Sequence, residues 1–337
     1  AAFREQQVVN GSDTRANGWA LIPFLVFAVF YVGLSLHAGR CGLEMPWYKV
    51  PMPIAFLVAS AVSVAMGARR RKLEECIDTY AFGMGEVNIM MMCLIFILAG
   101  AFATVAKGAG AVDAAVAIAR AFIPAKLMLA GVFLVSCLIS TAIGTSCGTI
   151  AAVTPIALGF ARPLRLEPAL LMGAVIGGAM FGDNLSFISD CSIAACNGQG
   201  VKMKDKFKQN VPKAVPAALL TVIIVLMLSI RSYQGGSVSG EYNLVQTIPY
   251  ALVLIGGISG VNVFLVLMMG IVSGSIIMLA TGTTTFMNLM VGMGVGAANM
   301  FETIMVAVLV SAVCAMIREE GGFDALLAWV KAAFKGR

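Results

Sequence analysis

Charge is what this chain of 337 residues has least of. Asp, Glu, Lys and Arg together make up 12% of it, against 60% apolar residues. Soluble domains carry roughly 25% charge and 45–50% apolar residues, so a water-soluble globule is excluded and an integral membrane protein is indicated. Histidine is nearly absent: His37 stands alone, remote from every Ser or Cys cluster. No nucleophile–base pair is formed, and an enzyme is not expected. The eight cysteines include no C-x-x-C pair, which argues against a disulfide framework and against a zinc site. The apolar runs are solid rather than alternating, which excludes a β-barrel. Residues 1–17 are polar and have no apolar core of the kind a signal peptide needs.

What is present is a series of apolar runs close to the ~20 residues that cross a bilayer as a helix. Spans are expected at 19–38, 52–67, 87–106 and 214–230, with a short helix over 111–122. The stretch 127–198 is apolar but broken by Gly, Pro and polar residues, and fits either three spans or one span with a re-entrant hairpin. The net charge of +6 does not indicate nucleic acid, because the basic residues cluster in loops beside apolar runs. Arg69-Arg70-Arg71-Lys72 and the lysines 202, 204, 206, 208 and 213 read as cytoplasmic loops under the positive-inside rule. That rule also places the N-terminus in the cytoplasm.

The chain partly repeats itself. Residues 83–122 laid on 294–333, an offset of 211, give ten identities in forty positions, among them Gly83/Gly294, Gly85/Gly296, Asn88/Asn299, Gly110/Gly321 and Asp113/Asp324. Ile22-Pro23 likewise resembles Ile248-Pro249. Counting spans makes the second copy inverted, a common architecture of secondary transporters with broken helices and a site near the midplane. The expected organisation is a polar segment 1–17, a first transmembrane repeat 18–230, an external linker 231–246 and a second repeat 247–337. The offset carries Gly144 to position 355 and Asp183 to 394, beyond Arg337. The second repeat is therefore expected to be incomplete, with roughly 100 C-terminal residues missing by the same offset.

Two polar islands interrupt the apolar sequence. In Gly144-Thr145-Ser146-Cys147-Gly148-Thr149, two glycines bracket three hydroxyls. Glycine permits a helix break, which frees backbone carbonyls for a cation, and Pro155 adds a second break. In Gly182-Asp183-Asn184-Leu185-Ser186-Phe187-Ile188-Ser189-Asp190, two carboxylates stand seven residues apart, on one face if the segment stays helical. Ionisable groups at membrane depth are expensive and mark functional sites. Hard cations take oxygen ligands, so Thr145, Ser146, Thr149, Asp183, Asn184, Ser186, Ser189 and Asp190 are the expected ion or substrate ligands, with Asp183 and Asp190 the sodium ligands. Desolvation disfavours the charged form of any carboxylate. Such a group holds a proton or a sodium ion but gains little by holding both, and that competition is the basis of exchange. Glu302, one turn after Asn299, is a candidate proton carrier. Asn88 and Asn299 are equally readable as helix caps, and Asp113 and Asp324 as structural residues at helix starts.

These islands resemble the NhaC-type Na+/H+ antiporter family. Gly144-Thr145-Ser146-Cys147-Gly148-Thr149 with Thr154-Pro155-Ile156 is similar to its G-T-S-x-G-T…P-I motif. Phe181-Gly182-Asp183-Asn184-Leu185-Ser186, Ile188-Ser189-Asp190 and Lys204-Asp205-Lys206-Phe207 resemble F-G-D-x-x-S-x-I-S-D and the basic segment after it. The likeness runs over about residues 18–330 and is nearest to the subgroup with G-D-N-L-S. It implies the ion-transporter fold, an all-α polytopic membrane protein with inverted repeats and broken or re-entrant helices. It also implies exchange of sodium for protons, with a Na+- or H+-coupled amino-acid or carboxylate exchanger as the alternative. The absence of Arg and Lys from 127 to 161 favours the bare cation. No cofactor is expected beyond Na+ and H+ as transported or coupling ions. The expected partners are the lipid bilayer, a small cation or small organic solute and, as an option, a second copy in a homodimer. The expected location is the cell's plasma (inner) membrane, multi-pass.

Overall fold

A computed structural model describes residues 16–43, 46–111, 114, 124–186, 189, 192, 196, 201–232, 244–259 and 261–333. All regular structure among them is helical. The main helices are α1 (Ile22–Arg40), α2 (Met52–Gly67), α3 (Leu73–Met84), α4 (Val87–Gly108), α5 (Met128–Ile143), α6 (Ser146–Gly159), α7 (Pro168–Leu185) and α8 (Met203–Ser232). They continue with α9 (Ile248–Ile258), α10 (Val263–Ala280), α11 (Phe286–Ala298), α12 (Phe301–Glu319) and α13 (Gly322–Ala333). Among the described residues six stretches are long and apolar enough to cross a membrane: Gly18–Arg40, Val87–Gly108, Pro168–Leu185, Lys204–Arg231, Val263–Ala280 and Phe286–Glu319. The protein is an all-α polytopic membrane protein.

The chain folds as two compact units, one of Ala1–Cys93 with Phe301–Arg337 and one of Leu94–Met300. In the first unit α12 packs on α2 and α3. Gly83 makes this possible, because a methyl group there would stand 2.9 Å from the Ala312 Cα and 3.1 Å from the Ser311 carbonyl. The Ser311 hydroxyl donates to the Gly83 carbonyl at 2.6 Å. Gly67, at the end of α2, lies against Met316, so α2 and α12 run in the same direction. At their shared end Arg71 is paired with both Glu319 and Glu320, and Arg70 with Glu320 at 3.5 Å. The Thr79 hydroxyl adds a bond to Glu319 at 3.0 Å.

The second unit holds the larger core, around Phe102, Val105, Leu129, Phe133, Leu171 and Tyr250. Phe102 meets Tyr250 edge-on, with centroids 5.5 Å apart. Gly270 faces the Phe102 ring and Gly274 faces Val105, so α4 and α10 run in the same direction. Gly100 and Gly296 touch backbone to backbone where α4 crosses α11. An extensive pairing is that of α5 with α7. A methyl group at Gly178 would strike the Phe133 carbonyl and stand 2.8 Å from the Ser136 Cβ. One at Gly182 would strike the Cys137 carbonyl and stand 2.7 Å from the Ser140 Cβ and the Thr141 nitrogen. Small residues at four-residue spacing let two membrane helices approach this closely. Ser140, fully buried, donates across the contact to the Ala179 carbonyl at 2.5 Å.

One order of elements occurs twice. A short helix (α3 or α11), a break (Gly85 or Asn299) and a long helix (α4 or α12) are followed by a glycine in the left-handed conformation, Gly110 at φ 73° or Gly321 at φ 78°. The N–H of Gly110 bonds the Lys107 carbonyl at 3.2 Å and that of Gly321 bonds the Arg318 carbonyl at 3.2 Å. Ala114 and Ala325 then bond back to those glycine carbonyls at 3.2 and 3.1 Å. One expectation needs revision. The lysines at 204, 206, 208 and 213 are helical rather than a loop, because α8 starts at Met203 and carries Pro212 and Pro216 inside it. Most of the helix expected over 111–122, with Asp113, lies outside the described residues.

Gly178→Leu is expected to cost about 3 kcal/mol or more, because the obstructing atoms are backbone and cannot turn aside. Gly173, on the same helix with open space around it, is the control: Gly173→Ala should be neutral or gain about 0.5–1 kcal/mol. Thermal unfolding of the two variants in detergent checks the pair. Equal midpoints would show that the α5–α7 contact is not close.

Candidate functional site

The site is built where helices end. At the end of α5, Gly144 adopts φ 77° and ψ 21°, and its N–H closes the last turn on the Ser140 carbonyl at 2.8 Å. Thr145 is extended and caps α6, its hydroxyl accepting from the Gly148 N–H at 3.4 Å. Its carbonyl accepts from the Thr149 hydroxyl at 2.9 Å. The first island is thus the sharp turn of a helical hairpin. Its arms of 16 and 14 residues are about 24 and 21 Å long, short of the ~30 Å hydrocarbon core. Thr149 is fully buried, while Thr145 and Ser146 are half-buried.

The second island is the end of α7. The helix stops at Leu185, where Ser186 turns extended, so the two-turn relation between Asp183 and Asp190 does not hold. Asp190 itself lies outside the described residues. Asp183, in the last turn, has a buried Oδ1 with no hydrogen-bond partner. Ser186 and Ser189 are each 1% exposed. Asn184 turns outward: it is exposed, and its Oδ1 accepts from the Asn210 side chain at 3.3 Å. Glu302 belongs to the first unit and stands exposed in the first turn of α12. Asn88 bonds the side chain of Glu86, which caps α4 through the Ile89 N–H, and Asn299 caps the end of α11.

The α5–α7 contact brings the islands together. Gly178 meets Phe133 and Ser136 while Gly182 meets Cys137, Ser140 and Thr141, so the two helices are parallel and end side by side. Asp183 follows Gly182 directly, and Thr141 lies three residues before Gly144. Helix ends leave carbonyls, or N–H groups, without intrahelical partners. Two negative ends therefore meet here, those of α5 and α7. Two positive ends face them, because Gly148 near the start of α6 abuts Val263, the first residue of α10. Each end carries about half a charge, so the four nearly cancel. A carboxyl oxygen of Asp183 beside helix-end carbonyls is an oxygen set of the kind a hard cation takes. Among the described residues no three His, Cys, Asp or Glu side chains converge. Gly144→Ala should destabilise the protein by about 1–2 kcal/mol, the cost of a Cβ in the left-handed region. Gly144→Asn should cost less, and equal unfolding midpoints for both variants would deny the turn its strain.

Residues 48–230 match the family described as the Na+/H+ antiporter family. The chain is similar to the Na+/H+ antiporter NhaC of Bacillus subtilis, 29% identical over 194 residues, which are 57% of this chain and 40% of that protein. It is 26% identical to the NhaC of Alkalihalophilus pseudofirmus over 53% of this chain and 38% of that one. It is also 26% identical to the malate-2H+/Na+-lactate antiporter of Bacillus subtilis, over 54% of this chain and 38% of that protein. The matches thus span about two-fifths of the length of each of these relatives. No solved structure matches. With more than half of its length matched to that family, the chain belongs to the Na+/H+ antiporter family.

Proposed function

We propose that this protein exchanges sodium for protons across the plasma membrane, and that Asp183 carries the exchanged ion. The observation that carries the reading is the buried, unpartnered Oδ1 of Asp183 at the joint end of two helices. A hard cation takes oxygen ligands of this kind. Thr145, Ser146, Thr149, Ser186 and Ser189 supply hydroxyls around it, while Asn184 turns away towards Asn210 and Asp190 lies outside the described residues. A proton and a sodium ion compete for one carboxylate, and that competition couples their movement. The alternative, a carboxylate exchanger, has in its favour the positive end of α6 and the name of one relative. The absence of Arg and Lys between residues 127 and 161 leaves the first island itself without a full counter-charge for an organic anion.

An inverted two-copy arrangement goes with this reading. It is supported by the doubled element order and by a reciprocal pairing. In the first unit α12 of the second copy runs parallel to α2 and contacts α3 at Gly83. In the second unit α4 of the first copy runs parallel to α10 and contacts α11 at Gly296. The Arg71–Glu319 and Arg71–Glu320 pairs put the end of α12 on the face of the basic loop 69–72, the cytoplasmic face by the positive-inside rule. On this reading α12 runs inward and the N-terminus lies in the cytoplasm, as the positive-inside rule expects.

In sealed vesicles holding the protein, an imposed Na+ gradient should move protons. Asp183→Asn should reduce that movement by more than about tenfold, since a hydrogen bond to a charged group alone is worth about 1.5–3 kcal/mol. The Na+ concentration for half-maximal exchange should rise as pH falls, because protons then occupy the carboxylate. Undiminished exchange in Asp183→Asn would remove it from the site. Movement of labelled malate or lactate, with none of protons by Na+ alone, would establish the alternative.

A further inference from the structure

The second island is held from outside by α8. The Lys206 ammonium donates both to the Asn184 carbonyl and to the Ser192 hydroxyl, the latter at 2.6 Å. One turn on, Asn210 donates to the Asn184 side chain at 3.3 Å. Residues four apart share a helix face, so one face of α8 grips Asn184 twice. The bonds continue inward: the Ser192 N–H donates to the Ser189 hydroxyl at 3.3 Å, and the Val201 N–H to the Cys196 carbonyl at 2.9 Å. Ser186, Ser189, Ser192 and Cys196 are all buried. Lys206 is therefore the one described cation bonded both to the residue after Asp183 and to the serine that orients Ser189.

We propose, on the antiporter reading above, that Lys206 is a positioning residue for the ion site. It caps the orphan carbonyls at the end of α7 and ties Ser192 to that end, so that Asp183 and Ser189 keep the spacing a cation needs. The chemistry suits lysine in particular. A carbonyl and a hydroxyl close to one point can share a compact ammonium with three rotatable donors, whereas a guanidinium presents a flat fork that does not match them. The charge works in two directions. It is favourable at a helix C-terminus but repels a cation nearby, so its position, rather than its sign, is what the ion gains from. Lys208, on the same helix, is exposed and serves as the comparison.

The test compares Lys206→Met, Lys206→Arg, Asn210→Leu and Lys208→Met with the unchanged protein in vesicles. The first readout is the rate at which N-ethylmaleimide labels Cys196, 4% exposed, located by mass spectrometry; it needs no transport. Lys206→Met should speed it by about tenfold, the effect of lowering a local opening free energy by about 1.4 kcal/mol. Lys206→Arg and Asn210→Leu should speed it less, and Lys208→Met not at all. The second readout is exchange: Lys206→Met should raise the half-saturating Na+ concentration several-fold while leaving the maximal rate within about twofold. Unchanged labelling in Lys206→Met overturns the proposal, as does a lower half-saturating Na+ concentration, which would assign Lys206 a purely electrostatic role. Should Lys206→Met fail to fold, Asn210→Leu and Lys206→Arg decide by the same two readouts. If the unchanged protein moves no protons, the antiporter reading fails while the labelling result still tests the clamp.

Discussion

The backbone contact between α5 and α7 is the constraint on which the site depends. Gly178 and Gly182 are the points where no side chain fits, because the Phe133 and Cys137 carbonyls occupy that space. The contact fixes two things at once. It makes the helices parallel, so that both C-termini arrive at one level, and it sets Asp183 beside the last turn of α5. Hydrophobic burial does not favour one register over another in a membrane, since lipid is as apolar as the helices. Close approach does, through dispersion contacts and the one buried bond from Ser140 to the Ala179 carbonyl.

Much of this was legible in the sequence, for a physical reason. Polar residues in an apolar chain stand out sharply, so both islands, their hydroxyls and Asp183 were readable without a structure. The break at Gly144 was readable too, because glycine permits a helix break. Local contrast did not reveal which bonds those groups make. Thr149 bonds back to the Thr145 carbonyl, and Asn184 faces α8 instead of the ion. The Arg71 pairs with Glu319 and Glu320 join residues nearly 250 positions apart, and no periodicity connects them. The lysines of α8 were read as a loop because charge density resembles a solvated segment. They form a helix because Lys, Asp, Phe and Gln without glycine do not oppose one, and because Lys206 and Asn210 find partners on the end of α7.

The doubled break carries a similar lesson. Sequence identity aligned Gly110 with Gly321, and both hold a left-handed φ with matching hydrogen bonds on either side. A residue with a Cβ would be strained at either position, which is why a glycine stands at both. The intervening apolar positions diverge freely, because any residue of suitable volume serves against lipid or a neighbouring helix. The matched residues are those that backbone geometry dictates.

The balance of charge at the site bears on what can be exchanged there. On the sodium–proton reading, Asp183 contributes no net charge when it holds a proton and none when it holds a sodium ion. Holding neither, it adds a bare carboxylate, the state that low dielectric penalises most. An empty, ionised site is then the least favourable condition in which to rearrange the broken helices, and the two loaded conditions are the favourable ones. That ordering is what an exchanger requires, since leakage through the empty form would dissipate the gradient. It follows from one exchanged carboxylate at the end of α7, where the Lys206 ammonium is already bonded to the Asn184 carbonyl.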